Sequence, residues 1–135
     1  MNTVLVWHQN DLRVIDHPAL YAAAAESDGR VLPVYCLDHS VLNELNPHSL
    51  EFRLESLNGL REAYRALGTD LLLIHGSATT ELPRLARAHG AKRVHFHHRY
   101  TAPHRARVAD VQQSLDEHAI ESIGHWGDTL YAPDQ

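Results

Sequence analysis

The stretch Trp7-His8-Gln9-Asn10-Asp11-Leu12-Arg13 sets polar and charged groups directly after the apolar run Val4-Leu5-Val6. A carboxylate, a carboxamide and a guanidinium at one strand end can hydrogen-bond a planar heterocycle or its ribityl or phosphate tail. In a doubly wound α/β sheet the carboxyl ends of the strands line the ligand crevice, at the point where strand order reverses. The loops there are expected over residues 8–13, 37–39, 75–77 and 97–101, so Asp38 joins Asp11 and Arg13 as a candidate ligand contact. The alternative is internal: Arg13 pairs with Asp16 or Asp38 and only fixes the loop, because a partly buried charge needs a partner in either case.

Twelve histidines raise a metal reading, with His95-Phe96-His97-His98 foremost. Zinc needs imidazoles that converge at fixed geometry, whereas on a strand His95 and His97 share one face and His98 points to the other. Without a cysteine pair or a His-Glu-x-x-His motif, these are expected to be solvated loop histidines, and no metal site is assigned. His48, His89 and His118 read as helix-end residues, His89 at a C-terminus where the helix dipole suits it. Nucleophilic chemistry lacks its parts. There is no Gly-x-Ser-x-Gly elbow, and His75-Gly76-Ser77 lacks the strained turn that exposes a serine. Cys36 lies inside an apolar run, the setting of an inert core thiol. Neither a Walker loop nor Gly-x-Gly-x-x-Gly is present, and no catalytic residue is assigned. Trp7 and Trp126 read as core anchors at strand ends.

The elements that must position these groups alternate along the chain. Strands are expected over residues 4–7, 31–37, 71–74, 94–97 and 121–124. Between them come an alanine-rich helix over 18–25 opened by Pro18, a turn at Asp28-Gly29 and a polar loop over 39–48. A helix over 49–67 follows, with Leu50, Leu54, Leu57, Leu60, Tyr64 and Leu67 on one face and Gly68 as its stop. Helices over 80–89, with Pro83 in the first turn and Gly90 closing it, and over 103–118, with Val108, Val111 and Leu115 inward, complete the pattern. Uniformly apolar strands separated by amphipathic helices predict an α/β fold: a Rossmann-like, doubly wound five-stranded parallel sheet with helices on both faces. It is expected to fill residues 1–135 as a single domain.

Composition narrows the function classes. A chain of 135 residues with 44% hydrophobic and 21% charged residues reads as an ordinary globular domain. Its net charge is −5 and its 12 Lys and Arg are scattered, so no direct nucleic-acid binding is expected. One cysteine excludes an internal disulfide and fits a reducing, cytoplasmic setting. A strand beginning within three residues of Met1 leaves no room for a signal peptide, and no apolar run reaches membrane-spanning length.

The residues from Trp7 to Arg13, followed by Asp16-His17-Pro18-Ala19-Leu20, resemble the opening motif of the DNA photolyase/cryptochrome family, Trp-(Phe/His)-Arg-x-Asp-Leu-Arg and then Asp-Asn-x-Ala-Leu. The likeness continues through Val31-Leu32-Pro33-Val34-Tyr35-Cys36-Leu37-Asp38, and through Phe52-Arg53-Leu54-Glu55-Ser56-Leu57 with Leu60-Arg61 and Leu67-Gly68. Residues 71–76, Gly90-Ala91-Lys92-Arg93-Val94 and Tyr100 match the next elements, and Gly127-Asp128-Thr129-Leu130 with Pro133 resembles the lead into the interdomain linker. Singly these pieces are weak; in this order and spacing they are strong.

The resemblance implies the family's N-terminal α/β domain, which holds an antenna chromophore of deazaflavin, flavin or folate type in a DNA-repair or blue-light protein. The catalytic FAD and the DNA-lesion pocket belong to the family's helical domain, so FAD is not expected in this chain, nor lyase activity from it alone. That helical FAD-binding domain, of the same or another chain, is the implied partner. The face that would meet it should be unusually apolar and prone to self-association as a homodimer. A deazaflavin- or FMN-type site lies among the loops after strands one, two and four, and Asp11, Arg13, Tyr35, Leu37, Asp38, His97 and Thr101 match its positions. Tyr35 is expected to stack and Asp38 to accept a hydrogen bond. Three departures bear on the ligand: Gln9 replaces the first-loop arginine, Arg105-Ala106-Arg107-Val108 lacks the family's acid, and Pro103-His104 stands where folate-binding relatives carry Asn-Glu. They favour deazaflavin or FMN over folate. Two other readings are a vacant pocket and a stand-alone nucleotide-binding or partner-docking module of the same fold, as in universal stress proteins or electron-transfer flavoproteins. The latter relatives use glycine-rich phosphate loops that this chain lacks at its strand ends.

Overall fold

The centre of the molecule is a strand with no exposed residue. β1 (Thr3–His8) is buried along its whole length, as an apolar run flanked on both sides by other strands must be. The structure, a computed structural model, describes residues 3–9, 12, 14, 17–26, 30–98 and 102–125. Asp28-Gly29 and Trp126 lie outside them. After β1 come α1 (Pro18–Glu26), β2 (Arg30–Leu37), α2 (His39–Leu42), α3 (Pro47–Ala66) and β3 (Leu72–His75). The chain continues through α4 (Ala78–Ala88), β4 (Arg93–His97), α5 (Ala102–Glu117) and β5 (Glu121–His125). Every strand pairing is parallel, in the order β3-β2-β1-β4-β5. The crossover from β3 to β4 carries the chain back past β1, so strand order reverses between β1 and β4. The doubly wound five-stranded parallel sheet expected from the sequence is the fold.

The two-residue period of the strands sorts the core onto two faces. Leu5, Trp7, Val34, Val94 and Phe96 pack under α4 and α5 against Leu82, Leu85, Val111 and Leu115. Val4 and Val6 lie under α1 against Ala23, and Tyr35 joins Leu57, Leu60, Tyr64 and Leu71 under α3. Trp7 is 4% exposed with its ring 5.8 Å from Phe96, a core anchor as expected.

Three local expectations change. The loop over 39–48 contains the helical turn α2, and Asn46 caps α3 by accepting the Ser49 N–H at 2.7 Å, with Pro47 opening the helix. Leu54 and Leu67 are exposed rather than inward, because the buried stripe of α3 is confined to Leu57, Leu60 and Tyr64. α4 starts at Ala78 with Ser77 as its cap, which moves Pro83 from the first turn into the second.

Pro83 has no N–H to give to the carbonyl of Thr79, one turn earlier. The Ser114 hydroxyl of α5 donates to that carbonyl instead, at 2.6 Å. A sequence that places a proline inside α4 therefore depends on a hydroxyl from its neighbour. Ser114→Ala should cost about 1–2 kcal/mol, the range for a buried carbonyl losing its partner. Urea unfolding of the variant checks this, and an unchanged midpoint contradicts it.

Candidate functional site

Two arginines occupy positions that helical periodicity reserves for apolar residues. Arg53 stands four residues before Leu57 on the buried stripe of α3, and Arg107 stands four before Val111 and eight before Leu115 on that of α5. Both line a cavity of ≈ 350 Å³ at the carboxyl ends of β1 and β2. Its floor is Trp7, His8 and Gln9 from β1 with Tyr35, Cys36 and Asp38 from β2. Leu42, Glu44 and Leu45 close one side, and Ser77, Ala78 and Thr79 at the start of α4 close another, beside Arg107 and Val111.

The polar groups of the lining brace one another and the strand ends. Arg53 Nη1 donates to the Tyr35 hydroxyl at 3.0 Å and to the Gln9 carbonyl at 3.4 Å. The Gln9 side chain donates across to the His97 carbonyl at 3.0 Å, tying the end of β1 to the end of β4. Ser77 Oγ accepts the Thr79 N–H at 3.3 Å, and the positive end of the α4 dipole lies at the cavity wall. The site therefore combines two aromatic surfaces, two guanidinium groups, a helix amino end and the carboxylates of Asp38 and Glu44. Its size and balance suit a planar heteroaromatic ligand with an electron-rich edge or an anionic tail.

Burial, then the charges of Glu81 and Asp38, push the Cys36 thiol up to about 12 from 9.0, and the His8 Nε2 lies 2.6 Å from the Tyr64 hydroxyl. That rise depletes the thiolate at neutral pH, and the thiolate is the reactive form. Cys36 in the folded chain should thus react with a disulfide reagent markedly more slowly than in guanidinium. Equal rates in the two states would contradict the burial.

Of the residues expected from the sequence, Tyr35 and Asp38 line the cavity. Leu37 packs instead in the cluster beneath α3, and the His97 ring is buried beneath α1, so only its carbonyl is linked to the lining. Asp11, Arg13 and Thr101 lie outside the described residues. The site expected among the loops after strands one, two and four compares with a cavity over β1 and β2 that Arg107 and Val111 of α5 also line. Gln9, Arg53, Ser77 and Arg107 were missed, and for the arginines the signal was a charge on an apolar stripe.

The histidines require the largest correction. His95 and His97 are 2% and 1% exposed, not solvated, and His8 and His17 are 0% exposed. They pack under α1, with His8 and His17 ring centres 4.8 Å apart and His17 stacked on His97 at 4.1 Å. His95 lies 2.9 Å from His125 Nε2 through Nδ1 and 3.0 Å from Glu26 through Nε2. Strand alternation put them on one face, and hydrogen bonding within the cluster makes that face inward. Among the described residues no three His, Cys, Asp or Glu side chains converge as metal ligands.

Comparison with known proteins adds a lineage to this geometry. Residues 4–135 match the family model for DNA photolyase. The chain is 37% identical over 99% of its length to a cryptochrome DASH of Natronomonas pharaonis, of which it covers 30%. It superposes on a Synechocystis cryptochrome with a TM-score of 0.86 at 29% identity, over 99% of this chain and 29% of the other. An archaeal photolyase from Sulfolobus tokodaii, described with two FAD molecules and as implying a novel light-harvesting cofactor, gives 0.81 at 25% identity, over 92% of this chain and 29% of that one. The chain spans under a third of the length of each.

Proposed function

Because the chain belongs to the DNA photolyase family, we propose that it is the light-harvesting α/β domain of a photolyase- or cryptochrome-type protein, with an antenna chromophore in the cavity over β1 and β2. The observation that carries this reading is the cavity itself: aromatic surfaces from Trp7 and Tyr35 bounded by Arg53, Arg107 and the amino end of α4. The Sulfolobus tokodaii relative, with its two FAD molecules, supports a flavin-type ligand. The chromophore supplies absorption of visible light. The protein's part is to hold a ring against Tyr35 and Trp7, to give its carbonyl edge or phosphate the two guanidinium groups, and to accept a ring N–H at Asp38. Asp11 and Arg13, from the loop after β1, remain part of the proposal on sequence grounds, as does Thr101 after β4.

Deazaflavin or FMN is favoured over folate, since Pro103-His104 replaces the Asn-Glu expected for folate. Excitation would pass to a helical FAD-binding domain, the proposed partner, which also meets the DNA. With a net charge of −5, this domain is not the nucleic-acid-binding part. Alone it should lack the catalytic FAD of the helical domain and repair no pyrimidine dimers in light.

Trp7 lines the cavity and reports ligand directly through fluorescence quenching. Titration with FMN or a deazaflavin should saturate, and Arg107→Ala should weaken binding by about ten- to a hundredfold, the effect of losing one charged hydrogen bond. His118→Ala should bind like the native chain, since His118 is exposed at the carboxyl end of α5, where its Nδ1 lies 2.8 Å from the Ser114 carbonyl. Equal behaviour of the two variants would refute the site. Tight ATP binding without flavin binding would move the assignment to a stand-alone nucleotide module.

A further inference from the structure

Three of the described arginines are half-buried: Arg53, Arg61 and Arg107. A guanidinium partly withdrawn from water needs acceptors for its fixed fork of donors. Arg53 uses Nη1 on the Tyr35 hydroxyl and the Gln9 carbonyl, and Arg61 Nε donates to Asp70 at 3.2 Å. Arg107 has no hydrogen-bond or ion-pair partner among the described residues. Asp110 stands three residues on along α5, the spacing of a helical ion pair, yet the two are not paired. The cavity therefore holds one guanidinium committed to its walls and one that faces the space between them.

The packing of α5 on α4 explains why this side chain stands where it does. Both helices follow strands of one parallel sheet and run in the same direction. Ser114 of α5 bonds the carbonyl of Thr79, the second residue of α4. Arg107 lies seven residues before Ser114 on the same stripe, about 10 Å nearer the start of α5 at 1.5 Å per residue. That turn of α5 thus projects past the start of α4, over the rim where Ser77, Ala78 and Thr79 line the cavity. The carboxylates of the lining, Asp38 and Glu44, come from the segment after β2 and form no ion pair with Arg107.

We propose that Arg107 determines the ligand class of the cavity: a flavin or deazaflavin that bears a phosphomonoester, in preference to the same ring without one. A phosphomonoester carries about −1.5 to −2 charges at neutral pH and presents three acceptor oxygens. The planar guanidinium fork matches two of them, and Ser77 and Thr79 bring hydroxyl donors to the same lining. The two arginines then divide the ligand. Arg53 braces the ring surface through Tyr35, and Arg107 reads the tail. This inference rests on the antenna reading and narrows its ligand.

FMN and riboflavin differ only in the phosphate, so their dissociation constants, read from tryptophan quenching, isolate its part. The native chain should bind FMN about ten- to a hundredfold more tightly than riboflavin, the effect of one charged hydrogen-bonded contact. Arg107→Gln should bring FMN down to the riboflavin value and leave riboflavin unchanged. Arg107→Lys, a point charge without the fork, should retain part of the preference. Raising salt from about 0.1 M to about 1 M should shrink the native preference by weakening FMN alone. Equal binding of the two flavins by the native chain overturns the phosphate subsite and leaves the antenna reading standing, as does a preference that survives Arg107→Gln. Binding of neither flavin overturns both. Should Arg107→Gln not fold, the salt series on the native chain decides: a preference that salt does not reduce removes the pairing of Arg107 with phosphate.

Discussion

The interaction on which the rest depends is the burial of β1 between β2 and β4. A parallel strand hydrogen-bonded on both edges and covered on both faces has no water to satisfy it, so its backbone is committed to the ladder and its side chains to the core. Thr3 to His8 meet that demand without an exposed residue. The chain must leave β1 at its carboxyl end, and strand order reverses beside it, so polar groups that follow His8 are delivered to the rim of the sheet. The cavity exists because α2, α4 and α5 stand around that rim while the strands end beneath it.

The same constraint accounts for the polar interior. His8, His95 and His97 fall on the inward face of central strands, where partners for their ring nitrogens offset the cost of burial. Those partners are the Tyr64 hydroxyl, Glu26, His125 and the opening N–H groups of α1. Gln9 then links this network to the candidate site, and Arg53 links the site to α3. The core on the α4–α5 side is apolar, and a polar stitch there, Ser114 on the Thr79 carbonyl, offsets a proline.

Strand and helix order was legible because β1, β2 and β4 are short apolar runs and the longer helices carry a clear stripe. The helix starts at Asn46-Pro47 and Ser77 were less legible, since Asn-Pro also signals a turn and Pro83 suggests a first turn where it stands in a second. At the site, Asp38 followed from a strand end and Tyr35 from the family resemblance. Arg53 and Arg107 did not, because a single charge on a helix stripe reads as surface until the helix is seen to overhang the sheet. The histidines misled for a different reason: composition treats an imidazole as polar, whereas its burial is decided by partners distant in sequence, such as Tyr64 for His8 and Ala19 for His97. The family motif carried what local physics could not, the kind of ligand proposed for this rim.

The central claim is spatial, and a crystal structure of the chain grown with FMN tests it most directly. The account predicts ring density against Tyr35 and Trp7, with Arg107 or Arg53 within hydrogen-bond distance of a ligand oxygen and the phosphate toward Ser77 to Thr79. Flavin bound elsewhere, or a cavity filled only by water at saturating ligand, would contradict it.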